Sequence, residues 1–198
     1  MKLKQYTALF LCGILCLSLC SCKDKDTQQT PQEPTAASEN VGENVTLFSR
    51  DTLPENTYDG VTLVMDSISA KAGEKEVPVR VMLFNNPGYI NCGVRIYYGE
   101  GLSPLCESED KTKCITGDAS QGMMTVSAVD TAKRMIGFAS AGAQAATNDG
   151  MVITVYFDIP SDAKSGTFYP LTLDIQDFKA TRTDQLDPTL IQGGIQIE

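Results

Sequence analysis

The chain has 198 residues, a formal net charge of −9, and neither histidine nor tryptophan. The acidic balance, without a dense cluster of lysine or arginine, excludes a protein that binds nucleic acid through a basic patch. The lack of histidine removes the commonest general base and the commonest zinc ligand, so we expect no metal site.

The N-terminal residues have the pattern of an export signal. Two lysines precede the apolar run 8–19, which is too short for a stable membrane span. The run ends in Leu-Cys-Ser-Cys, which resembles the lipobox of bacterial lipoproteins, with Cys22 as the lipidated residue and Cys20 as a weaker candidate. An ordinary signal peptide is the alternative. We expect residues 1–21 to be removed and the exported protein to be lipid-anchored on the outer side of a bacterial membrane, at the cell surface.

Residues 22–58 have the composition of a flexible tether. They are rich in Thr, Gln, Glu, Asn and Pro, and such a segment cannot bury enough apolar surface to offset the entropy lost on ordering. The short apolar group VTLF at 45–48 is the part that could attach to the folded domain. Removal of residues 1–21 takes away two lysines and moves the net charge to about −11 (−9 − 2).

From residue 59 onward, short β-type runs alternate with turn residues. Gly, Pro, Asn or Asp bound each run, and several runs alternate apolar with polar residues. The predicted strands are 61–69, 76–84, 89–98, 102–107, 123–129, 134–140, 151–159, 171–178 and 190–197. The Ala-rich stretch 141–150 is expected to form no more than one turn of helix. The pattern predicts an all-β domain over 59–198, built as a β-sandwich of two antiparallel sheets.

The strand 89–98 shows the alternation most clearly. One set of side chains is predicted to face the core: Ile90, Cys92, Val94, Ile96 and Tyr98. The other set is predicted to face outward: Asn91, Gly93, Arg95 and Tyr97. A glycine inside a strand often marks a place where another backbone comes close, so the outward set is the informative one.

The cysteines of the mature chain suggest no metal site. Cys92 lies on the predicted core face and is interpreted as a small buried hydrophobic residue. Cys106 and Cys114 bracket the polar loop CESEDKTKC, and a disulfide between them is possible in an exported protein. The spacing alone leaves the disulfide open, because it requires Cα atoms within about 7 Å of each other.

No arrangement of residues indicates catalysis. Carboxylate pairs occur in the acidic loops, but nothing in the sequence places two of them across a cleft, as glycoside hydrolysis requires. The nucleophile elbow, the phosphate-binding loop and the calcium-binding loop are also missing from the sequence. We therefore expect no enzyme, no catalytic residue and no bound cofactor.

Four stretches in series resemble the cohesin family, the dockerin-binding modules of cellulosomes. They are ISAKAGEKEVPVRVML, NPGYINCGVRIYYGEGL, TNDGMVITVYFDIPSDAKSGTFYPLTL and IQGGIQIE. No one stretch is specific, but together they span most of 61–197 in the cohesin order, and they are most similar to ruminococcal cohesins. Gly99 stands where an aspartate is usual, which is a minor departure at a strand end.

The resemblance implies a nine-stranded jelly-roll β-sandwich, a fold related to carbohydrate-binding modules. One of its sheets holds strands eight, three, six and five, and the outer face of that sheet binds the dockerin. Ile136 and Phe138 of strand six are expected to point inward. The residues implied in partner binding are Asn91, Gly93, Arg95, Tyr97, Thr125, Ser127, Val129, Met135, Gly137, Ala139 and Leu186.

The function implied is non-catalytic binding of dockerin-bearing enzymes or scaffoldins, which bring their own calcium. We expect the chain itself to be monomeric. Two alternatives stay open: a carbohydrate-binding β-sandwich lipoprotein, and an extracytoplasmic lipoprotein that has only a structural role. A carbohydrate site usually presents exposed aromatic residues, and Tyr97 and Tyr169 are the best candidates for them.

Overall fold

The computed structural model describes residues 46–198, so the predicted signal peptide, Cys22 and most of the predicted tether lie outside the described residues. Within residues 46–198, no helix has the length and hydropathy needed to cross a bilayer. A single 3-10 turn, Asp118–Ser120, interrupts the strands. The strands are β1 (Thr62–Met65), β2 (Ser67–Ala70), β3 (Val77–Phe84), β4 (Tyr89–Tyr98), β5 (Ser103–Pro104), β6 (Cys106–Ser108), β7 (Lys111–Thr112), β8 (Cys114–Thr116), β9 (Met124–Asp130), β10 (Met135–Ala146), β11 (Gly150–Asp158), β12 (Phe168–Lys179), β13 (Thr189–Ile191) and β14 (Gly193–Ile197).

Two sheets form the sandwich. Sheet A has the strand order β2-β14-β12-β4-β10-β9, and sheet B has the order β13-β1-β3-β11-β5, with β8 also paired to β11. The core between them takes apolar side chains from both sheets, among them Ile96 and Leu173 of sheet A and Val79 and Val155 of sheet B. The predicted all-β jelly-roll sandwich is confirmed.

The first and last predicted strands each divide between the two sheets. β1 lies in sheet B and β2 in sheet A, with Asp66 between them, and β13 and β14 divide in the same way at Gln192. The two crossing strands run parallel, since β1 pairs with β13 and β2 pairs with β14. The sequence pattern predicts one long strand at each place, because a change of sheet leaves the apolar character of the run unaltered.

One local expectation is wrong, the parity of the side chains at the start of β4. The stretch 141–150 forms no helix, in keeping with the expectation of one turn at most, because β10 stays extended through Ala146 and pairs there with Tyr89. The pairing shifts register between Ala141 and Ala146, which breaks the alternation of β4 at its start. As a result, Tyr89 is fully buried and Ile90 is only half-buried, the reverse of the predicted parity.

A buried ion pair holds the point where the first strand changes sheet. Asp66 is 1% exposed, and its carboxylate accepts a hydrogen bond of 2.7 Å from the Nε of Arg80. The backbone N–H of Arg80 donates to the same carboxylate at 2.9 Å. The guanidinium also donates to the carbonyl oxygens of Ser49, at 2.7 Å, and Thr52, at 2.9 Å. These contacts satisfy both buried charges, as a buried pair requires.

Residues 46–58, which the composition assigns to the tether, contact the domain. Phe48 and Tyr58 pack on a second apolar cluster, formed by Val64, Met82 and Phe84 on the outer side of sheet B. The rings of Tyr58 and Phe84 lie 5.3 Å apart between centroids. This part of the chain therefore covers one outer face of the sandwich.

Gly193 lies against the crossing point and leaves no space for a side chain. A Cβ atom at Gly193 would lie 2.1 Å from the carbonyl oxygen of Asp66, and backbone at that distance cannot move aside cheaply. At Gly137, by contrast, a Cβ atom would meet nothing within 4 Å. We therefore expect Gly193→Ala to lower the free energy of unfolding by more than about 3 kcal/mol.

The matched control is Gly137→Ala. It should leave the free energy of unfolding unchanged or raise it by up to about 1 kcal/mol, since glycine is unfavourable inside a strand. Urea denaturation followed by circular dichroism measures both variants. Equal urea midpoints for the Gly193→Ala and Gly137→Ala variants would contradict the crowding at Gly193.

Candidate functional site

The outer face of sheet A brings together most of the residues implied in partner binding. β12, β4, β10 and β9 lie side by side, which is the order of strands eight, three, six and five that the resemblance implies. In the β4–β10 pairing, Gly93 lies opposite Ala139, Arg95 opposite Gly137, and Tyr97 opposite Met135.

The side chains between these positions point the other way. Ile136 and Phe138 are 0% and 3% exposed and belong to the core, as predicted. Asn91, Gly93 and Arg95 are half-buried on the outer side of β4. The predicted parity of β4 from Asn91 onward and of β10 is therefore confirmed by the register.

A shallow depression of about 250 Å³ lies at the centre of this face. Gly93, Gly137 and Ala139 line it together with Val126 of β9 and Gln176 of β12. The residue Gln176 forms a bulge in β12, because Ile175 pairs with Val94 and Asp177 already pairs with Gly93. We call this feature the glycine depression. Its floor is low because the central residues have small side chains or none.

Internal packing does not explain the two glycines of the depression. A Cβ atom at Gly93 would make only ordinary contacts, at 3.7 Å from Asp177 and Gln176, and one at Gly137 would meet open space. Neither glycine has the positive φ that excludes side chains. The fold could therefore accept larger residues at both positions, and their absence leaves room for another backbone.

The charged groups at one end of the face are paired with each other. The carboxylate of Asp177 accepts a hydrogen bond of 2.5 Å from the side-chain amide of Asn91 and forms an ion pair of 3.1 Å with Lys179. Arg95 lines the depression and makes no side-chain hydrogen bond or ion pair with any residue between 46 and 198. Arg95 thus offers free donor groups on this face, whereas Asp177 does not offer a free carboxylate.

The register of β9 corrects the prediction for strand five. Thr125, Ser127 and Val129 pair with the inward-facing residues of β10 and therefore lie on the inner side. Val129 packs on the core, and the hydroxyl of Ser127 donates to the carbonyl oxygen of Thr112 at 3.1 Å. A shift of one residue inverts the faces of a strand, and here the predicted register was off by one.

The apolar residues of β9 that do face outward are Met124, Val126 and Ala128. Met124 is 83% exposed and Val126 is 64% exposed, the largest values among the exposed large hydrophobic residues of the described chain. Val126 lies opposite Ala139 and Ala128 lies opposite Gly137. The sequence pattern did not indicate these residues, although together they give the face an apolar side.

A signal for the correct register was present in the turn between β9 and β10. Asp130 pairs with Met135, and its carboxylate accepts a hydrogen bond of 3.0 Å from the backbone N–H of Lys133. An aspartate that caps a turn in this way often marks the last residue of a strand. Counting back from that pair assigns Val126 and Ala128 to the outer face.

Two other predicted positions are less accessible than expected. Tyr97 is 8% exposed and Tyr169 is 6% exposed, so neither offers the exposed ring of a carbohydrate platform. Leu186 is half-buried and packs against the core, while its backbone N–H donates to the carbonyl oxygen of Phe178 at 2.7 Å. Only part of the Leu186 side chain is available to a partner.

The disulfide that the sequence leaves open is not formed. Cys106 and Cys114 are free thiols, one exposed and the other half-buried. Cys106 lies opposite Thr112 in the β6–β7 hairpin, whereas Cys114 lies on β8 opposite Val155. The two cysteines thus belong to different sheets. Cys92 is fully buried, as predicted, and burial raises the pKa of its thiol to about 12.

Residues 46–198 contain no group of three or more acidic or cysteine side chains arranged to hold a metal ion. The exposed large hydrophobic residues of the same range include no aromatic side chain. Among the described residues, the outer face of sheet A combines a recessed centre, the unpaired guanidinium of Arg95 and an apolar side along β9.

Comparison with known proteins agrees with this geometry at the level of fold. No protein-family model and no curated protein sequence matches the chain. A chain from the crystal structure of a type I cohesin–dockerin complex of Clostridium thermocellum matches with a TM-score of 0.62 and 17% identity, over 71% of this chain and 100% of that one. This chain has a cohesin fold.

Two further structures extend the similarity. A type III cohesin from a cell-surface anchoring scaffoldin of Ruminococcus flavefaciens matches with a TM-score of 0.61 and 19% identity, over 72% of this chain and 93% of that one. A non-cellulosomal cohesin of the archaeon Archaeoglobus fulgidus matches with a TM-score of 0.58 and 18% identity, over 70% and 91%. At these identities the comparisons show a shared fold, and the sequence resemblance to cohesins agrees with them.

The thiols supply a test of the loop geometry. In the folded protein, iodoacetamide should label Cys106 and leave Cys92 unmodified until urea is added, because only the thiolate reacts and Cys92 is buried. Partial burial raises the pKa of Cys106 above the ordinary thiol value of 9.0, so its labelling rate should still increase with pH at pH 9. Peptide mass spectrometry measures the extent of labelling at each cysteine. Protection of both Cys106 and Cys114 that is removed by a reductant would contradict the free thiols.

Proposed function

We propose that this chain is a non-catalytic cohesin that binds dockerin modules through the outer face of sheet A. The observation that carries the proposal is the glycine depression, where Gly93 and Gly137 leave a low floor that the fold itself does not require. A low floor lets a partner helix come close to the sheet, and the exposed Met124 and Val126 supply apolar contact beside it.

The partners would be dockerin-bearing enzymes or scaffoldins that carry their own calcium, so the chain itself would need no cofactor. Supporting this, one similar structure is itself a type I cohesin–dockerin complex. The alternative of a carbohydrate-binding sandwich is not favoured, because Tyr97 and Tyr169 are both buried.

We further propose that lipid on Cys22 holds the protein at the outer side of a bacterial membrane. One similar structure comes from a protein described as a cell-surface anchoring scaffoldin. The chain enters the described domain through residues 46–58, which pack on the outer side of sheet B, opposite the proposed docking face. An anchor attached before this segment would therefore leave the docking face accessible.

Binding to dockerins is tested directly by isothermal titration calorimetry. Residues 46–198 are titrated with each dockerin module encoded in the same genome, with calcium and with a calcium chelator. We expect at least one dockerin to bind, and binding to disappear with the chelator, since the calcium loops shape the dockerin. Failure of every dockerin to bind would refute the proposed function.

The assigned face is tested by Gly137→Arg. The new side chain would occupy the glycine depression without disturbing the fold, because a Cβ atom there meets nothing within 4 Å. We expect it to weaken dockerin binding by about 100-fold or more, because it blocks close approach to the sheet. Calorimetry measures the dissociation constant.

Gly60→Arg is the matched control for Gly137→Arg. Gly60 also has open space around its Cβ position but precedes β1 of sheet B, away from the docking face. The control should bind like the wild type. Unchanged affinity in the Gly137→Arg variant would mean that the dockerin binds elsewhere on the domain.

A further inference from the structure

Arg95 is the only charged residue of the described chain that lines the glycine depression. It lies near the middle of β4, with Gly137 opposite it on β10 and Asp174 opposite it on β12. The residue is half-buried, and no hydrogen-bond acceptor or carboxylate within residues 46–198 is bonded to its guanidinium. An arginine in such a position carries five N–H donors that only water can satisfy in the free protein.

The acidic side chains around Arg95 are bonded to other residues. The carboxylate of Asp174 accepts a hydrogen bond of 2.6 Å from the side-chain amide of Gln176. The carboxylate of Asp177 is held by Asn91, at 2.5 Å, and by Lys179, at 3.1 Å. The domain therefore places carboxylates near Arg95 without using them to bind its guanidinium.

A partner that covers the depression removes water from Arg95. The cost of leaving a charged, unpaired guanidinium in an interface is large, so a partner without an acceptor at this point would bind poorly. A carboxylate is the group that best matches the planar fork of arginine, since it accepts two parallel hydrogen bonds. The recessed floor beside Arg95 gives room for a side chain from a partner to reach it.

We propose that the partner inserts an aspartate or glutamate side chain at the glycine depression, where its carboxylate pairs with Arg95. This inference rests on the proposed dockerin binding and narrows it. Among dockerins, the chain selects those with an acidic residue on the docking helix, next to apolar residues that contact Val126 and Met124. Such a requirement is a specificity device, because a partner with a basic or apolar residue there leaves Arg95 unpaired.

The test uses residues 46–198 and a dockerin that binds in the calorimetric titration. Arg95→Gln should weaken its binding by about 30-fold or more, as expected for loss of one member of a covered charge pair. Arg95→Lys keeps the charge but loses the fork geometry, so its affinity should fall between those of the wild type and Arg95→Gln.

The control variant is Lys75→Gln. It removes one positive charge from an exposed side chain that pairs with Asp158 on β11 of sheet B, far from the depression. The affinity of this variant for the dockerin should stay within about 2-fold of the wild-type value, because an exposed charge far from the interface contributes little. Thermal unfolding of each variant by circular dichroism confirms that the fold is retained.

The acidic residue of the partner is identified by a double-mutant cycle. Each aspartate and glutamate on the docking helices of the dockerin is changed to the corresponding amide. The affinity of each dockerin variant is then measured both for the wild-type chain and for the Arg95→Gln variant. We expect one dockerin variant to lose affinity for the wild type and to lose none for Arg95→Gln, which shows that the two residues are coupled.

The outcomes separate the inference from the proposed function. If the Arg95→Gln variant binds the dockerin with an affinity within about 2-fold of the wild-type value, the carboxylate pairing is overturned and the proposed dockerin binding stands. A large effect of Arg95→Gln without coupling to any acidic residue also overturns it, since the acceptor is then an uncharged group of the partner. Failure of the wild-type chain to bind any dockerin overturns both.

Discussion

The sandwich depends on the contact between Asp66 and Arg80, at the point where the first strand passes from sheet B to sheet A. Both side chains are almost fully buried, and the backbone of Asp66 also accepts a hydrogen bond from Gly194 at 3.0 Å. Because Gly193 packs against the same carbonyl group, the first and last strands cross at one place. Loss of either charge would leave the other buried without a partner, which is costly.

The same arginine makes the two outer faces of the sandwich different. Its guanidinium also binds the carbonyl oxygens of Ser49 and Thr52, so the segment 46–58 is held across sheet B. The aromatic side chains of that segment cover the apolar cluster on this face. The outer face of sheet A has no such cover from the described residues, and its exposed valine and methionine remain accessible to a partner.

Sequence patterns predicted this arrangement best where a strand has one face in the core. The alternation of Cys92, Val94, Ile96 and Tyr98 set the parity of β4. The resemblance to cohesins implied that β10 lies beside β4, and the observed pairing agrees with it. The pattern failed on β9, because an edge strand with Val126 outward and Ser127 inward has no clear apolar face. The apolar residue there lies outside, which is the reverse of the usual rule and fits a binding surface.

The glycine depression shows how the proposed docking surface is assembled from distant parts of the chain. Gly93 and Gly137 come from different strands, and Gln176 enters only because β12 has a bulge. The local sequence pattern indicates neither the bulge in β12 nor the unpaired guanidinium of Arg95. Both depend on which residues lie across the sheet.

Local chemistry was enough to indicate an all-β sandwich, the outward residues of β4 and the absence of catalytic motifs, since each depends on residue type and short-range periodicity. The crossing of the end strands, the register of β9 and the packing of 46–58 depend instead on long-range contacts. Pairing across a sheet joins residues that are far apart in the chain, and a shift of one position reverses a face. For that reason the glycine in the middle of β4 could be recognised as unusual from the sequence, and the resemblance implied Gly137 and Ala139 beside it. Val126 and Gln176 in the depression follow only from the folded structure.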